Sequence, residues 1–178
     1  PTETLDPSPE LSGEWTQLGQ DIDGEAEGDR SGKSISLSSD GTIVAIGTLY
    51  NAGNGQSAGH VRIYQWNGAA WNQLGNDIDG EATNEFSGDS VSLSSDGTIV
   101  AIGAPGNDGN GVDSGHVRIY QWDGAAWIQL GDDIDGEAEG DWSGYSVSLS
   151  SDGTIAAIGA LNNAGNGVAS GHLRIYQW

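Results

Sequence analysis

Residues 90–103 read SVSLSSDGTIVAIG. Val91 and Leu93 alternate with Ser90, Ser92 and Ser94, a period of two that belongs to a strand with one apolar face. Asp96-Gly97 then supplies the dipeptide favoured by a tight type I′ hairpin. Thr98 to Gly103 is apolar at nearly every position, as expected of a strand covered on both faces. After a glycine-rich loop, APGNDGNGVDSG, alternation resumes in HVRIYQW, His116 to Trp122. The turn DGAA leads into WIQLG, Trp127 to Gly131. No stretch has helical periodicity. The unit is therefore two hairpins, with strands a (SVSLS), b (TIVAIG), c (HVRIYQW) and d (WxQLG).

This unit occurs three times. Trp15, Trp71 and Trp127 open WTQLGQDIDGEAEGD, WNQLGNDIDGEATNE and WIQLGDDIDGEAEGD at a constant spacing of 56 residues. Four antiparallel strands in a repeat of this size are the pattern of a β-propeller blade. The expected class is all-β, with three four-stranded blades over residues 15–70, 71–126 and 127–178. Residues 1–14, with three prolines and scattered acids, read as a flexible arm.

The order of strands is permuted. A d segment, Trp15 to Gly19, precedes the first a strand, and the third copy ends in strand c, HLRIYQW. Trp15 and Leu18 on one side, and Ile175, Tyr176 and Trp178 on the other, are the expected strand-closure residues. Three blades are too few to close a ring, since propellers take roughly four to eight. The ring is expected to be completed by missing repeats or by another chain, with a six-bladed homodimer favoured. The alternative is head-to-tail assembly into a filament.

The chain of 178 residues carries 26 acidic and five basic side chains, for a net charge of −21. That balance disfavours nucleic acid and anionic membranes as partners. No apolar run is long enough to span a bilayer as a helix. Cysteine is absent, which removes disulfides and thiolate metal sites.

The second copy reads FSGDSVSLSSDGTIVAIGAPGNDGNGVDSGHVRIYQW from Phe86 to Trp122. It resembles the FG-GAP repeat of integrin α-subunit-type propellers, with Phe86, Gly88, Gly103-Ala104-Pro105, Gly115, Val117 and Tyr120 at the matching places. The first copy departs with Arg30 and GTL, the third with Trp142 and GAL. The resemblance implies an extracellular, cell-surface module for adhesion or ligand recognition. The family's aspartate-rich calcium loop between strands a and b is replaced here by the short turn SSDGT.

Three sets of residues are candidates for chemistry. The repeated DIDG phrase offers Asp21, Asp23, Asp77, Asp79, Asp133 and Asp135 as oxygen ligands for Ca²⁺, against the plainer reading of a solvated turn. His60, His116 and His172 recur at the start of strand c and read as hydrogen-bonded structural residues. Arg62, Arg118 and Arg174 are expected to pair with a DIDG aspartate. No nucleophile–base pair stands out, so the chain reads as a non-enzymatic module. The copies differ most in the d–a and b–c loops, which an antiparallel blade places on one face. Arg30, Lys33, Tyr50, Phe86, Asp89, Trp142 and Tyr145 are accordingly the candidate ligand-binding residues, for a protein or glycan partner. Two rival readings are a structural self-assembling protein and a designed consensus repeat, which the near-identity of the copies also fits.

Overall fold

The computed structural model describes residues 13–178. All but the last two residues of the expected arm lie outside that range. The described residues form three antiparallel sheets and no helix.

The first sheet runs β1 (Ser31–Leu37), β2 (Ile43–Thr48), β3 (His60–Trp66) and β4 (Trp71–Gln73), with β5 (Ile78–Asp79) also paired to β3. The second repeats it with β6 (Ser90–Leu93), β7 (Ile99–Ala104), β8 (His116–Trp122), β9 (Trp127–Gln129) and β10 (Ile134–Asp135). The third contains β11 (Ser143–Leu149), β12 (Ile155–Ala160) and β13 (His172–Gln177) only. These are successive blades of a β-propeller, and the ring is not closed within the described chain. Strands a, b and c appear where the alternation placed them.

Strand d is longer than expected. Gln73 pairs with Tyr64, the ladder then bulges at Gly75, and pairing resumes with Ile78 opposite Val61 and Asp79 opposite His60. Half of the DIDG phrase, read from sequence as a turn, is thus strand in the second and third copies. The a–b turn also differs from the type I′ expectation. Only the glycine (Gly41, Gly97, Gly153) takes positive φ. Asp96 instead accepts hydrogen bonds from Ser94 Oγ, Thr98 N and Thr98 Oγ1. An aspartate-bridged turn closed by one left-handed glycine does the work of two left-handed residues.

The core lies between blades. Ile43, Ala45, Val61 and Ile63 of the first blade pack with Val91, Leu93, Val100 and Ile102 of the second. Strand b is buried at every position in β2 but alternates between buried and more open positions in β12, over which no following blade lies among the described residues. Two features of the sequence let the blades approach. A Cβ at Gly47 would stand 2.0 Å from the Gly88 carbonyl oxygen, and one at Gly103 would stand 2.0 Å from that of Gly144. The glycines of one repeat's GTL or GAP triplet and of the next repeat's SG dipeptide therefore form one backbone-to-backbone contact. The serines of strand a, which alternate with its apolar residues, stitch the junction. Ser34 Oγ donates to Gly88 O and Ser36 Oγ accepts from Leu93 N, and Ser90 and Ser92 repeat both bonds to Gly144 and Leu149.

Candidate functional site

The d–a loop of the second and third repeats runs beside the b–c loop of the repeat before it. Asn84 N donates to Gln56 O, Phe86 N to Ser57 O and Ser87 N to Ala58 O. Asp29, Glu85 and Asp141, acids not among the candidates named from sequence, anchor these loops. They are buried, and their carboxylates accept loop N–H groups at Ala26, at Glu81 and Ala82, and at Ala138. Their signal was an acid kept at one position while its neighbours changed. The residue after each anchor, Arg30, Phe86 or Trp142, has φ of 55°, 59° or 55°. Left-handed backbone at large side chains is strained, and such strain gathers at working surfaces.

That geometry turns the large side chains onto the loop face. Phe86 meets Tyr50 edge-on at 6.1 Å, and Trp142 stacks beside Tyr145 at 6.3 Å. Tyr50, Phe86, Asp89, Asp113, Trp142 and Tyr145 line a cleft of ≈ 220 Å³ with Leu49 and Pro105 along it. The two remaining candidates are held at its margin by the chain's own groups. Arg30 lies 4.6 Å above the Tyr50 ring, and Lys33 Nζ is 2.7 Å from Asp89 Oδ1. The seven residues singled out by comparing copies therefore share one surface. Trp142 and Tyr145 are 37% and 44% exposed, so these rings are available for contact.

The DIDG aspartates are arranged differently from the calcium expectation. Among the described residues, no three of Asp21, Asp23, Asp77, Asp79, Asp133 and Asp135 come together. Asp21, Asp77 and Asp133 each accept a hydrogen bond from the glutamine four residues earlier. Asp77 and Asp133 also stand beside a buried histidine and a glutamate. Asp23, Asp79 and Asp135 receive the arginines through their backbone carbonyls, with Nη2 of Arg62, Arg118 and Arg174 at 2.8, 2.8 and 2.6 Å. The carboxylates nearest the first two arginines are Glu25 and Glu81, at 3.7 and 3.3 Å. The expected arginine partner is thus the right residue met through its main chain. The histidines are not held by ordinary hydrogen bonds as expected: Nε2 of His60, His116 and His172 is buried without an aligned partner.

At the chain's two ends, Trp15, Leu18, Ile175 and Trp178 are exposed, and Trp15 to Gly19 forms no strand. Even so, Leu18 O accepts from Trp71 Nε1 at 2.9 Å as Leu74 O accepts from Trp127 Nε1 at 2.8 Å. Ile22 packs against the Val44, Ile46 and Tyr64 cluster. The leading segment occupies, beside the first blade, the place that strand d of the first blade occupies beside the second.

Residues 77–120 match the family model described as FG-GAP repeat. The FG-GAP match thus covers the second copy, whose Phe86, Gly88 and Gly103 make the loop and junction contacts above. No curated protein matches. A solved structure described as Kuenenia stuttgartiensis Hydrazine Synthase aligns with a TM-score of 0.48 at 16% sequence identity, covering 81% of this chain and 44% of that one. The chain spans less than half the length of that structure.

Proposed function

We propose that this FG-GAP-like propeller segment is a non-enzymatic, extracellular recognition module that takes its ligand in the aromatic cleft of the loop face. The observation that carries this reading is the convergence of Tyr50, Phe86, Asp89, Trp142 and Tyr145 on one cleft. At ≈ 220 Å³ it is smaller than the roughly 300–1,000 Å³ of drug-sized sites, and suits a single ring. Exposed aromatic faces beside carboxylate acceptors fit a neutral sugar, whose C–H face stacks and whose hydroxyls donate to Asp89 and Asp113. The acidic surround disfavours an anionic glycan. A screen against immobilised neutral and anionic glycans tests this. Neutral glycans should bind, and Trp142→Ala and Tyr145→Ala should each weaken binding at least about 10-fold, the scale of one lost stacking contact. Binding unchanged by both substitutions, or a screen with no bound glycan, would remove the proposal.

A self-assembling role is favoured by a second observation. Trp66–Trp71 and Trp122–Trp127 form pairs at 5.4 and 5.5 Å. At the third blade, Trp178 has no such partner among the described residues, and a cleft of ≈ 190 Å³ lies beside Leu130, Gly131, Tyr176 and Trp178. A WxQLG segment, from a second copy or a further repeat, fits that place. Trp15 is 104% exposed and heads such a segment. A homodimer joined this way at both ends has six blades; joining in one direction without closure gives a filament. Light scattering separates the two.

A further inference from the structure

Two clusters at the blade junctions bring a histidine together with carboxylates from two separate elements. His60 Nδ1 lies 3.6 Å from Asp77 Oδ2 and 3.9 Å from Glu25 Oε2. His116 Nδ1 lies 3.5 Å from Asp133 Oδ2, with a Glu81 oxygen within 4.8 Å of both. Both histidines are 1% exposed. Their Nδ1–oxygen separations exceed the 2.7–3.2 Å of an N–H···O bond. Each cluster thus contains a buried imidazole aimed at two carboxylates and hydrogen-bonded to neither.

We propose that these two junctions, Glu25–His60–Asp77 and Glu81–His116–Asp133, each bind one divalent transition metal ion, with Zn²⁺ the best match. Zinc takes imidazole nitrogen and carboxylate oxygen at about 2.0–2.2 Å in a tetrahedron, whose ligand atoms then stand about 3.3 Å apart. The histidine–carboxylate separations of 3.5–3.9 Å are close to that spacing, and the remaining ligand atoms, all within 4.8 Å of one another, would move inward to reach it. Ca²⁺ fits less well, because it takes six to eight oxygens and no imidazole.

At the second junction the surrounding contacts leave one oxygen of each carboxylate for the ion, while at the first Glu25 Oε2 also accepts from Asn51 Nδ2 at 3.4 Å, a long contact that the ion would replace. Asp133 Oδ1 accepts from Gln129 Nε2 at 2.7 Å, and Glu81 Oε1 faces Arg118 Nη1 at 3.3 Å. His116 Nε2 lies 3.0 Å from Glu85 Oε1 without hydrogen-bond alignment, so a metal on Nδ1 would leave the second ring nitrogen beside a carboxylate that a small ring rotation brings into line. A carboxylate behind a ligating histidine fixes its tautomer and raises its basicity. Glu81 and Asp133 are partly exposed, which leaves a path for entry and a place for a water ligand. The ion would tie the loop after one blade to strands c and d of the next.

The test is calorimetric titration of the full chain with ZnCl₂ in about 0.15 M NaCl, with MgCl₂ as the control for diffuse attraction to an acidic surface. Zn²⁺ should bind at least 100-fold more tightly than Mg²⁺. The double variant Asp77→Asn/Asp133→Asn should lose two sites per chain while keeping its circular dichroism spectrum. In long-range ¹H–¹⁵N spectra of the unaltered protein, Nδ1 of two histidines should shift on Zn²⁺ addition; this readout decides the matter if the variant misfolds. Zn²⁺ binding no tighter than Mg²⁺, full stoichiometry in a folded double variant, or unmoved Nδ1 resonances would each overturn the proposal.

Discussion

Single carboxylates and one histidine set the pH response. In the a–b turns, Asp40, Asp96 and Asp152 have their pKa values lowered from 3.8, Asp152 to about 2. The foremost cause at Asp152 is the Ser150 hydroxyl, followed by Thr154 N–H, and both stabilise the ionised form. A carboxyl with a lower pKa folded than unfolded contributes fully above about pH 4, and that contribution is lost as pH falls toward 2. Glu85 acts in the same direction. Burial raises its pKa, but His116, Arg118 and the Glu81 N–H together outweigh burial and bring it below 4.5. His60 is lowered from 6.5, chiefly by burial, so its neutral form is the folded one and its contribution drains as pH falls below 6.5. Melting temperature should therefore hold from pH 8 to 7, decline below 6.5 and drop steeply below 4. The measurement belongs in about 0.5 M salt, which screens repulsion among the acidic groups. A melting temperature that rises from pH 7 to 5 would contradict this account.

Strand c is the element on which most contacts converge. In β8, Arg118 is 4% exposed, donates to Asp79 O, and lies near Glu81 and the wholly buried Glu85. Arg118→Ala would strand Glu85 in the interior and should cost about 3–5 kcal/mol in denaturant unfolding. Arg174 makes the same backbone contact from a more open position on β13, and Arg174→Ala should cost about 1 kcal/mol. Equal losses would show that the buried acid is not the source of the effect. The strands themselves were legible, because alternation and turn dipeptides act over a few residues. The bulge that carries strand d through DIDG was not, because it depends on pairing with a strand some 15 residues away. Likewise, Phe86 and Trp142 stood out only through differences between copies, whereas Glu85 reaches His116 because one more methylene than Asp29 crosses a gap visible only in three dimensions.

For the whole molecule, the decisive question is what covers the third blade. Gly47→Ala drives a Cβ against the Gly88 carbonyl of the next blade and should cost about 3 kcal/mol or more. At the equivalent Gly159, a Cβ within 4 Å meets only Ser146, so Gly159→Ala in an open chain should cost less than about 1 kcal/mol. A ring closed by a neighbouring blade would make the two costs equal. Closure would also bury Trp15, for up to about 4–6 kcal/mol. A species of twice 18.3 kDa that Trp15→Ala converts to monomer supports the six-bladed dimer. A monomer with the unaltered sequence removes it, and an open-ended mass distribution supports the filament.

The sequence by itself determined the repeat, the strands and the surface on which the variable loops meet, because each follows from local periodicity and from differences between otherwise equal copies. Only the tertiary structure decided which groups face one another across a junction. The arginines meet main-chain carbonyls, the strand-a serines bond to the neighbouring blade, and the histidines lie among carboxylates 17 and 35 residues away along the chain. Those pairings arise from how twisted sheets stack, and a distance between stacked sheets leaves no period in a linear sequence.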